Sequence, residues 1–387
     1  MKRILFNRRS LVIAGSAALL AGCQVIPKGA STTTPTDGRG AQKPSDIALP
    51  SDETRHRIAL LVPMSGTNGE VGQSIANATT MALLDTNADN LRITTYDTAQ
   101  GARNAAERAM ADGNRLILGP LFAEDVPAIA VQANPKGVPL IAFSNDTKVA
   151  GPNVFIMGQV PEQSIRRSIG YARSRGASSF AALLPSGDYG DRAAMALVNA
   201  LREFGGSLAG TERYARGNTA IVSAASKLKE EGGYDTVLIA DSARLATQGA
   251  GELRSGGVNA SIIGTELWSG ENSISRVSAL RGALYSAVSN QRFARFSSSY
   301  ETRFGVKPYR LATLGYDSVL LTLRVAREWR VGRKFPTDKL LDSGGFLGLD
   351  GAFRFGRNGV IERAMEVREV GNGTIDTVDA APARFGD

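Results

Sequence analysis

The sequence predicts an α/β protein built as two Rossmann-like lobes, each around a parallel sheet. From Arg57 onward, short continuous apolar runs alternate with segments of helical spacing. That is the pattern of strands covered on both faces by their crossover helices. The alternation completes one course by Phe143 and starts again at Glu162. Roughly 330 residues in this texture exceed what one open sheet of the kind holds, so two lobes are expected to share them.

The first strand is Ile58-Ala59-Leu60-Leu61-Val62, broken by Pro63 and Gly66. A helix follows over 70–84, a strand over 92–96, a helix over 102–111 and a strand over 116–118, closed by Gly119-Pro120. A helix over 126–133 and a strand over 138–143 complete the first course. The second course reads helix 162–175, strand 180–184, helix 188–204, strand 236–240, helix 243–254 and strand 261–264. Helices return at 292–304 and 311–329. The C-terminal texture then becomes β, with a strand at 351–355, a turn at Arg357-Asn358-Gly359 and a further strand-like run over 360–370. Asn-Gly between two such runs signals a hairpin.

The N-terminus reads differently. Lys2, Arg3, Arg8 and Arg9 precede an apolar run from Leu11 to Ala21, which has the length of a signal-peptide core and falls short of the roughly 20 residues that span a bilayer. Leu20-Ala21-Gly22-Cys23 resembles a bacterial lipobox, and Cys23 is the only cysteine. The resemblance implies cleavage before Cys23 and acylation of its thiol; two or three acyl chains give stable anchoring. Gln24, rather than aspartate, favours the outer membrane over the inner one. Arg8-Arg9 leaves both Sec and twin-arginine export open. With Cys23 acylated, no thiol remains for disulfides or catalysis. Residues 23–55 are rich in Thr, Pro, Ser and Gly, a composition that cannot bury enough surface to offset ordering and reads as a flexible tether.

The net charge of +8 falls to about +4 once the four basic residues of the signal leave. No basic run is interleaved with aromatics, so nucleic acid is excluded as a partner. Motifs of catalysis are missing as well. His56 is the only histidine, and at the linker edge it reads as a solvated flank. There is no His-Glu-x-x-His, Gly-x-Ser-x-Gly, P-loop or dinucleotide fingerprint. No cofactor, metal or catalytic residue is assigned, and the expectation is a protein that is not an enzyme.

In open parallel sheets, ligands bind outside the carboxyl ends of the strands. The loops there carry Ser65 and Gly66, Phe122 and Ala123, Ser144 and Asn145, then Tyr189, Asp241, Glu266 and Trp268. They bring the hydroxyl, carboxylate and aromatic groups that a small polar ligand needs.

In order and spacing, "RIALLVPMSGTNGEVGQSIANATTMAL", "LILGPLFAEDVPAIA", "GVPLIAFSN", "FIMGQVPEQSIRRSIGYA", "PSGDYGDRAAMALVNALREFGG" and "ATLGYDSVLLTLRVAR" resemble the type I periplasmic binding protein fold, in its leucine/isoleucine/valine-binding family. The resemblance covers Arg57 to about Asp379. It implies two lobes, three crossovers and a ligand cleft between the lobes. The crossovers are expected near 157–159, near 287–289 and before Gly351. That assigns 1–22 to the signal peptide and 23–55 to the tether. Residues 56–158 with 289–345 form lobe 1, and 159–288 with 346–380 form lobe 2. For an amino-acid pocket the resemblance implies Tyr189 as the aromatic, Glu266 for the ligand ammonium and Ser144 for its carboxylate. Ala123 stands where that family has a second serine, and Asp241 near where it has a tyrosine. "IALLVPMSG" followed by "LILGPLFAEDV" also resembles the penicillin-binding protein activators, outer-membrane lipoproteins of the same fold. This resemblance implies a non-catalytic, lipid-anchored periplasmic regulator whose partner is a peptidoglycan synthase. The alternative is the substrate-binding protein of an ABC importer, with a permease and a small amino-acid-like ligand as partners.

Overall fold

The computed structural model describes residues 54–217, 219–257 and 259–385. The signal peptide at 1–22, Cys23 and nearly all of the tether lie outside them. The first course comprises β1 (His56–Val62), α1 (Gly69–Asp85), β2 (Leu91–Asp97), α2 (Ala102–Ala111), β3 (Leu116–Leu118), α3 (Asp125–Ala133), β4 (Leu140–Ala142) and β5 (Val154–Ile156). Its five strands form one parallel sheet in the order β2-β1-β3-β4-β5.

The second course runs α4 (Pro161–Ser174), β6 (Ser179–Pro185), α5 (Asp188–Phe204), β7 (Ser207–Tyr214), α6 (Ala220–Glu231), β8 (Thr236–Ile239), α7 (Ala243–Ser255), β9 (Ser261–Ile263) and β10 (Leu284–Ala287). After α8 (Gln291–Phe304) and α9 (Ala312–Ala326) come β11 (Phe346–Gly348), β12 (Gly351–Phe355), β13 (Ile361–Arg363), β14 (Glu366–Val370) and β15 (Ile375–Asp379). The second sheet has the order β15-β14-β10-β9-β8-β6-β7, parallel except that β14 runs antiparallel to both its neighbours. Strands β5, β7, β10, β11 and β15 and helix α6 have no counterpart in the sequence reading. β5, β10 and β11 are short, and β7 and β15 are edge strands exposed along most of their length, so none shows a long apolar run.

Both lobes open with the same packing device. Pro63 follows the last residue of β1 and Pro185 is the last residue of β6, and a glycine in the following helix lies on the proline carbonyl. A Cβ on Gly72 would sit 1.7 Å from Pro63 O, and one on Gly190 would sit 1.7 Å from Pro185 O. Only a residue without a side chain lets helix and strand approach so closely.

The chain passes between the sheets three times. It leaves the first sheet after β5 and returns after β10. Helices α8 and α1 then share a cluster that includes Phe296, Tyr300, Ala78 and Met81. The third passage, expected before Gly351, falls instead between β13 and β14. Phe346, Phe353, Phe355 and Ile361 join the core of Ile58, Leu60 and Val62, and Val360 bridges to Ile156 of β5. Residues 346–363 therefore extend the first lobe. The expected hairpin is present as β12 and β13, paired Phe355↔Ile361, but the run over 360–370 divides between two sheets.

A buried ionic network occupies the passages. Arg363 Nη2 donates to Met157 O at 2.7 Å, and Arg368 Nη2 to Val288 O at 2.6 Å. Two arginines beside the third passage thus hold the carbonyls of the first two. Asp350, fully buried, accepts from Arg310 Nη1 at 2.6 Å and from Thr313 Oγ1 at 3.0 Å. His56 is not a solvated flank: it is 4% exposed and stacks on Trp329 at 4.0 Å.

Candidate functional site

Pro185 ends β6, and Ser186-Gly187 turn the chain into α5. Asp188 and Asp191 lie in its first turn, where carboxylates favour the helix dipole. This start places Tyr189 and Arg192, three residues apart, on one face. Arg192 is 7% exposed. Its Nε and Nη2 reach the Glu162 carboxylate at 2.7 and 2.8 Å. Nη2 also donates to Asn145 O at 2.5 Å, in the loop after β4 of the other lobe. One guanidinium therefore ties the two lobes together. Burial alone would lower its pKa, but the Glu162 carboxylate outweighs that and raises it, so the charge persists.

Tyr189 Oη lies 2.9 Å from Thr265 Oγ1 and 3.0 Å from Glu266 Oε1. Glu266 is 5% exposed, and its second oxygen is buried with no hydrogen-bond partner. Burial pushes this carboxyl up to about 7, against an ordinary 4.5. Burial, together with the Glu266 charge, also raises the Tyr189 phenol. Asp241 sits beneath. Its Oδ2 accepts from Tyr214 Oη at 2.9 Å and Arg216 Nε at 3.1 Å, and its Oδ1 accepts from Ser242 N at 2.7 Å. The Arg216 guanidinium lies 5.6 Å from the Tyr189 ring centroid, within cation–π range. Asn145, Tyr189, Arg216, Asp241, Ser242 and Leu267 line one cavity of 460 Å³.

Of the residues singled out in the sequence, Asn145, Tyr189 and Asp241 share this cavity, and Glu266 adjoins it through Tyr189. The others are engaged elsewhere. Ser65 donates to Asp97 Oδ2 at 2.7 Å and, with Gly66, lines a separate 670 Å³ hollow beside Gln73, Asn77 and Tyr300. Ser144 Oγ accepts from Asp146 N at 3.0 Å and shapes its own loop. Phe122 packs against the first lobe's core, and Ala123 O accepts from Val126 N in the turn that opens α3. Trp268 is core rather than lining: it is 0% exposed, lies against Tyr285, and donates from Nε1 to Asp241 O at 3.0 Å. It supports the acid from behind.

Arg192, Glu162, Thr265 and Arg216 were not picked out from the sequence. Arg192 left one trace there, an arginine on the otherwise apolar face of α5 beside Ala193, Ala196 and Leu197. The pairing of that arginine with Asn145 is tertiary. Among the described residues no group of three or more His, Cys, Asp or Glu could hold a metal ion, and no helix is long and apolar enough to cross a membrane.

Two α/β lobes joined by three passages, with polar groups from both meeting at a cavity, have the architecture of a binding protein. The family model described as "Periplasmic binding protein" matches residues 56–374. The chain belongs to the periplasmic binding protein family, with the type I fold. It is 28% identical over 190 residues to the penicillin-binding protein activator LpoA of Pectobacterium parmentieri, covering 49% of this chain and 25% of that protein. The chain spans less than half the length of the curated relatives it matches. Among solved structures, the leucine binding protein LivK of Thermotoga maritima aligns with a TM-score of 0.63 at 20% identity, covering 84% of this chain and 98% of that one. Full-length LpoA of Haemophilus influenzae aligns with a TM-score of 0.66 at 20% identity, covering 84% and 59%. These likenesses establish the shared fold.

Proposed function

We propose that this protein is a non-catalytic, lipid-anchored periplasmic regulator that acts on a peptidoglycan synthase, as the name of its LpoA relative suggests. The carrying observation is the state of the cleft. The end that would hold an amino acid's carboxylate lacks one hydroxyl at Ala123, and the remaining Ser144 hydroxyl is turned into its own loop. Arg192 bridges the lobes with protein partners alone. A cleft latched in this way supports a fixed shape for a protein partner rather than capture and release of a solute. The resemblance of Leu20-Ala21-Gly22-Cys23 to a lipobox and the tether-like composition that follows support the same reading, with the domain held in the periplasm at the outer membrane.

One observation favours the second reading, an importer's substrate-binding protein. Glu266 keeps a buried oxygen without a partner, a ready acceptor for a ligand ammonium. The two readings separate experimentally. Co-purification with a bifunctional penicillin-binding protein, faster glycan polymerisation on adding the protein, and a flat thermal-shift screen with amino acids are expected. An amino acid that raises the midpoint at saturation, where 100 Kd of ligand adds about 2.7 kcal/mol, together with no effect on the synthase, would overturn the regulator.

A further inference from the structure

The hollow beside Ser65 and Gly66 shares no residue with the cleft cavity. Its 670 Å³ falls within the range of about 300–1,000 Å³ that small-molecule sites occupy. One wall is a face of α1, where Glu70, Gln73, Ser74 and Asn77 recur at the three-, four- and seven-residue spacings that share one side of a helix. The other wall is the end of α8 and its link to α9. Gly305 closes α8 in the left-handed region, with a φ of 74°, and its N–H donates to Glu301 O at 2.8 Å, a common way for a helix to end. Pro308 follows in the link, which brings Val306, Lys307 and Tyr309 to the hollow.

The polar groups of both walls are held in place by the protein itself. Tyr300 is 1% exposed, and its ring packs against Phe296 and Phe304 at 5.8 and 4.7 Å. Asn77 Nδ2 donates to Tyr300 Oη at 3.0 Å, and Gln73 Nε2 donates to Asn77 Oδ1 at 2.8 Å. Across the hollow, Tyr309 Oη donates to Glu70 Oε2 at 2.9 Å and Tyr309 N to Ser74 Oγ at 3.0 Å. This chain of bonds does not use up the hydrogen-bonding capacity of its members. Each amide keeps a second N–H, the Gln73 carbonyl and one Glu70 oxygen accept nothing among the described residues, and the Tyr300 hydroxyl accepts but does not donate. The lining holds one carboxylate, Glu70, and one ammonium, Lys307, so it carries no net formal charge.

From this lining we infer that the hollow binds a neutral saccharide. A strongly charged ligand finds no net opposite charge there. A greasy one finds little to cover, since Met64 and Val306 are the only wholly apolar side chains among the lining residues. A sugar fits both features. Each of its hydroxyls donates one bond and accepts others, which suits spare donors and acceptors set side by side on Gln73, Asn77, Glu70 and Tyr300. The C–H face of a sugar ring needs a flat partner, and Tyr309, 44% exposed, offers an aromatic face with a polar tip. Two sources share this chemistry, a strand of the wall glycan and a free oligosaccharide. The inference does not rest on the regulator reading, and holds whether or not the protein acts on a synthase.

The test uses the full chain in a zwitterionic detergent without a sugar head group. One arm measures co-sedimentation with purified peptidoglycan sacculi, with competition by glycan strands that an amidase has freed of peptide. The other measures maltotetraose and cellotetraose binding by calorimetry. Both are run at low and high salt, because bonds between neutral groups are not screened. Gln73 is exposed on a helix, where alanine is the better helix former, so Gln73→Ala should fold, and an unchanged melting curve confirms it. Losing this hydrogen-bonding side chain is expected to weaken the responsive arm about three- to tenfold. Tyr309→Ala should weaken it at least as much, while Tyr309→Phe, which keeps the ring, retains most of the binding. Binding in the soluble arm identifies a free oligosaccharide; binding to sacculi that peptide-free strands compete away identifies the wall glycan. Binding to sacculi that those strands leave in place assigns the contact to peptide and overturns the site. So does absence of binding in both arms, binding lost at high salt, or binding that Gln73→Ala leaves intact.

Discussion

Replacing Glu266 with glutamine should stabilise the protein at neutral and alkaline pH, although it removes a group from the candidate site. The carboxyl is 5% exposed, only one of its oxygens has a partner, and burial raises it to about 7 from an ordinary 4.5. A raised folded-state pKa means that the folded protein holds this proton more tightly than the unfolded chain does. Stability linked to it is fully present below about 4.5 and is lost as pH rises to about 7. A shift of this size corresponds to about 3 kcal/mol. Glutamine has the shape of the protonated acid and cannot ionise, so it escapes that loss. Urea unfolding at pH 4.5, 6 and 8 should show the two proteins nearly equal at the acid end. The variant should be ahead by up to about 3 kcal/mol at pH 8. Asp317, also raised by burial, titrates in both proteins and cancels in the difference. Parallel stability curves for the two proteins across that range would refute the reasoning. The sign also bears on function: a carboxylate kept at a cost to stability suits a site that meets a cation.

Two other perturbations probe the scaffold. Asp350→Ala leaves Arg310 and Arg363 without their shared buried counter-charge and should cost about 3–5 kcal/mol, read as a melting temperature lowered by roughly 4–7 °C; a loss below about 1 kcal/mol would show that the passages do not depend on this network. Gly264→Ala would set a Cβ 2.4 Å from the Trp268 ring, and should cost about 1–3 kcal/mol by overpacking, with an altered near-ultraviolet circular dichroism signal; an unchanged spectrum and stability would show that the ring is free to move.

Much of the fold was legible because its signal is local. Apolar runs such as Ile58–Val62 and Phe180–Leu184 announce strands covered on both faces, and the repeat of strand, turn and helix announces two lobes. Asn358-Gly359 announced its hairpin for the same reason. The site was less legible. Tyr189, Asp241 and Asn145 stand at strand ends, where an open sheet puts its ligand loops, and they meet at one cavity. Trp268 stands at such an end too, yet its ring turns back into the core against Tyr285.

By itself, then, the sequence determined the type and order of most elements, because backbone periodicity and burial are written in neighbouring residues. Only the tertiary structure decided that β11 to β13 join the first lobe, since alternating strands fit either sheet and the choice rests on Phe353 and Phe355 meeting a core built almost 300 residues earlier. It alone decided that Arg192 reaches Asn145 across the cleft, and that Arg57 of β1, Arg92 of β2 and Arg115, just before β3, come together at the base of the first sheet. Such juxtapositions depend on which distant segments pack together, and the chemistry of a single residue does not encode its partner.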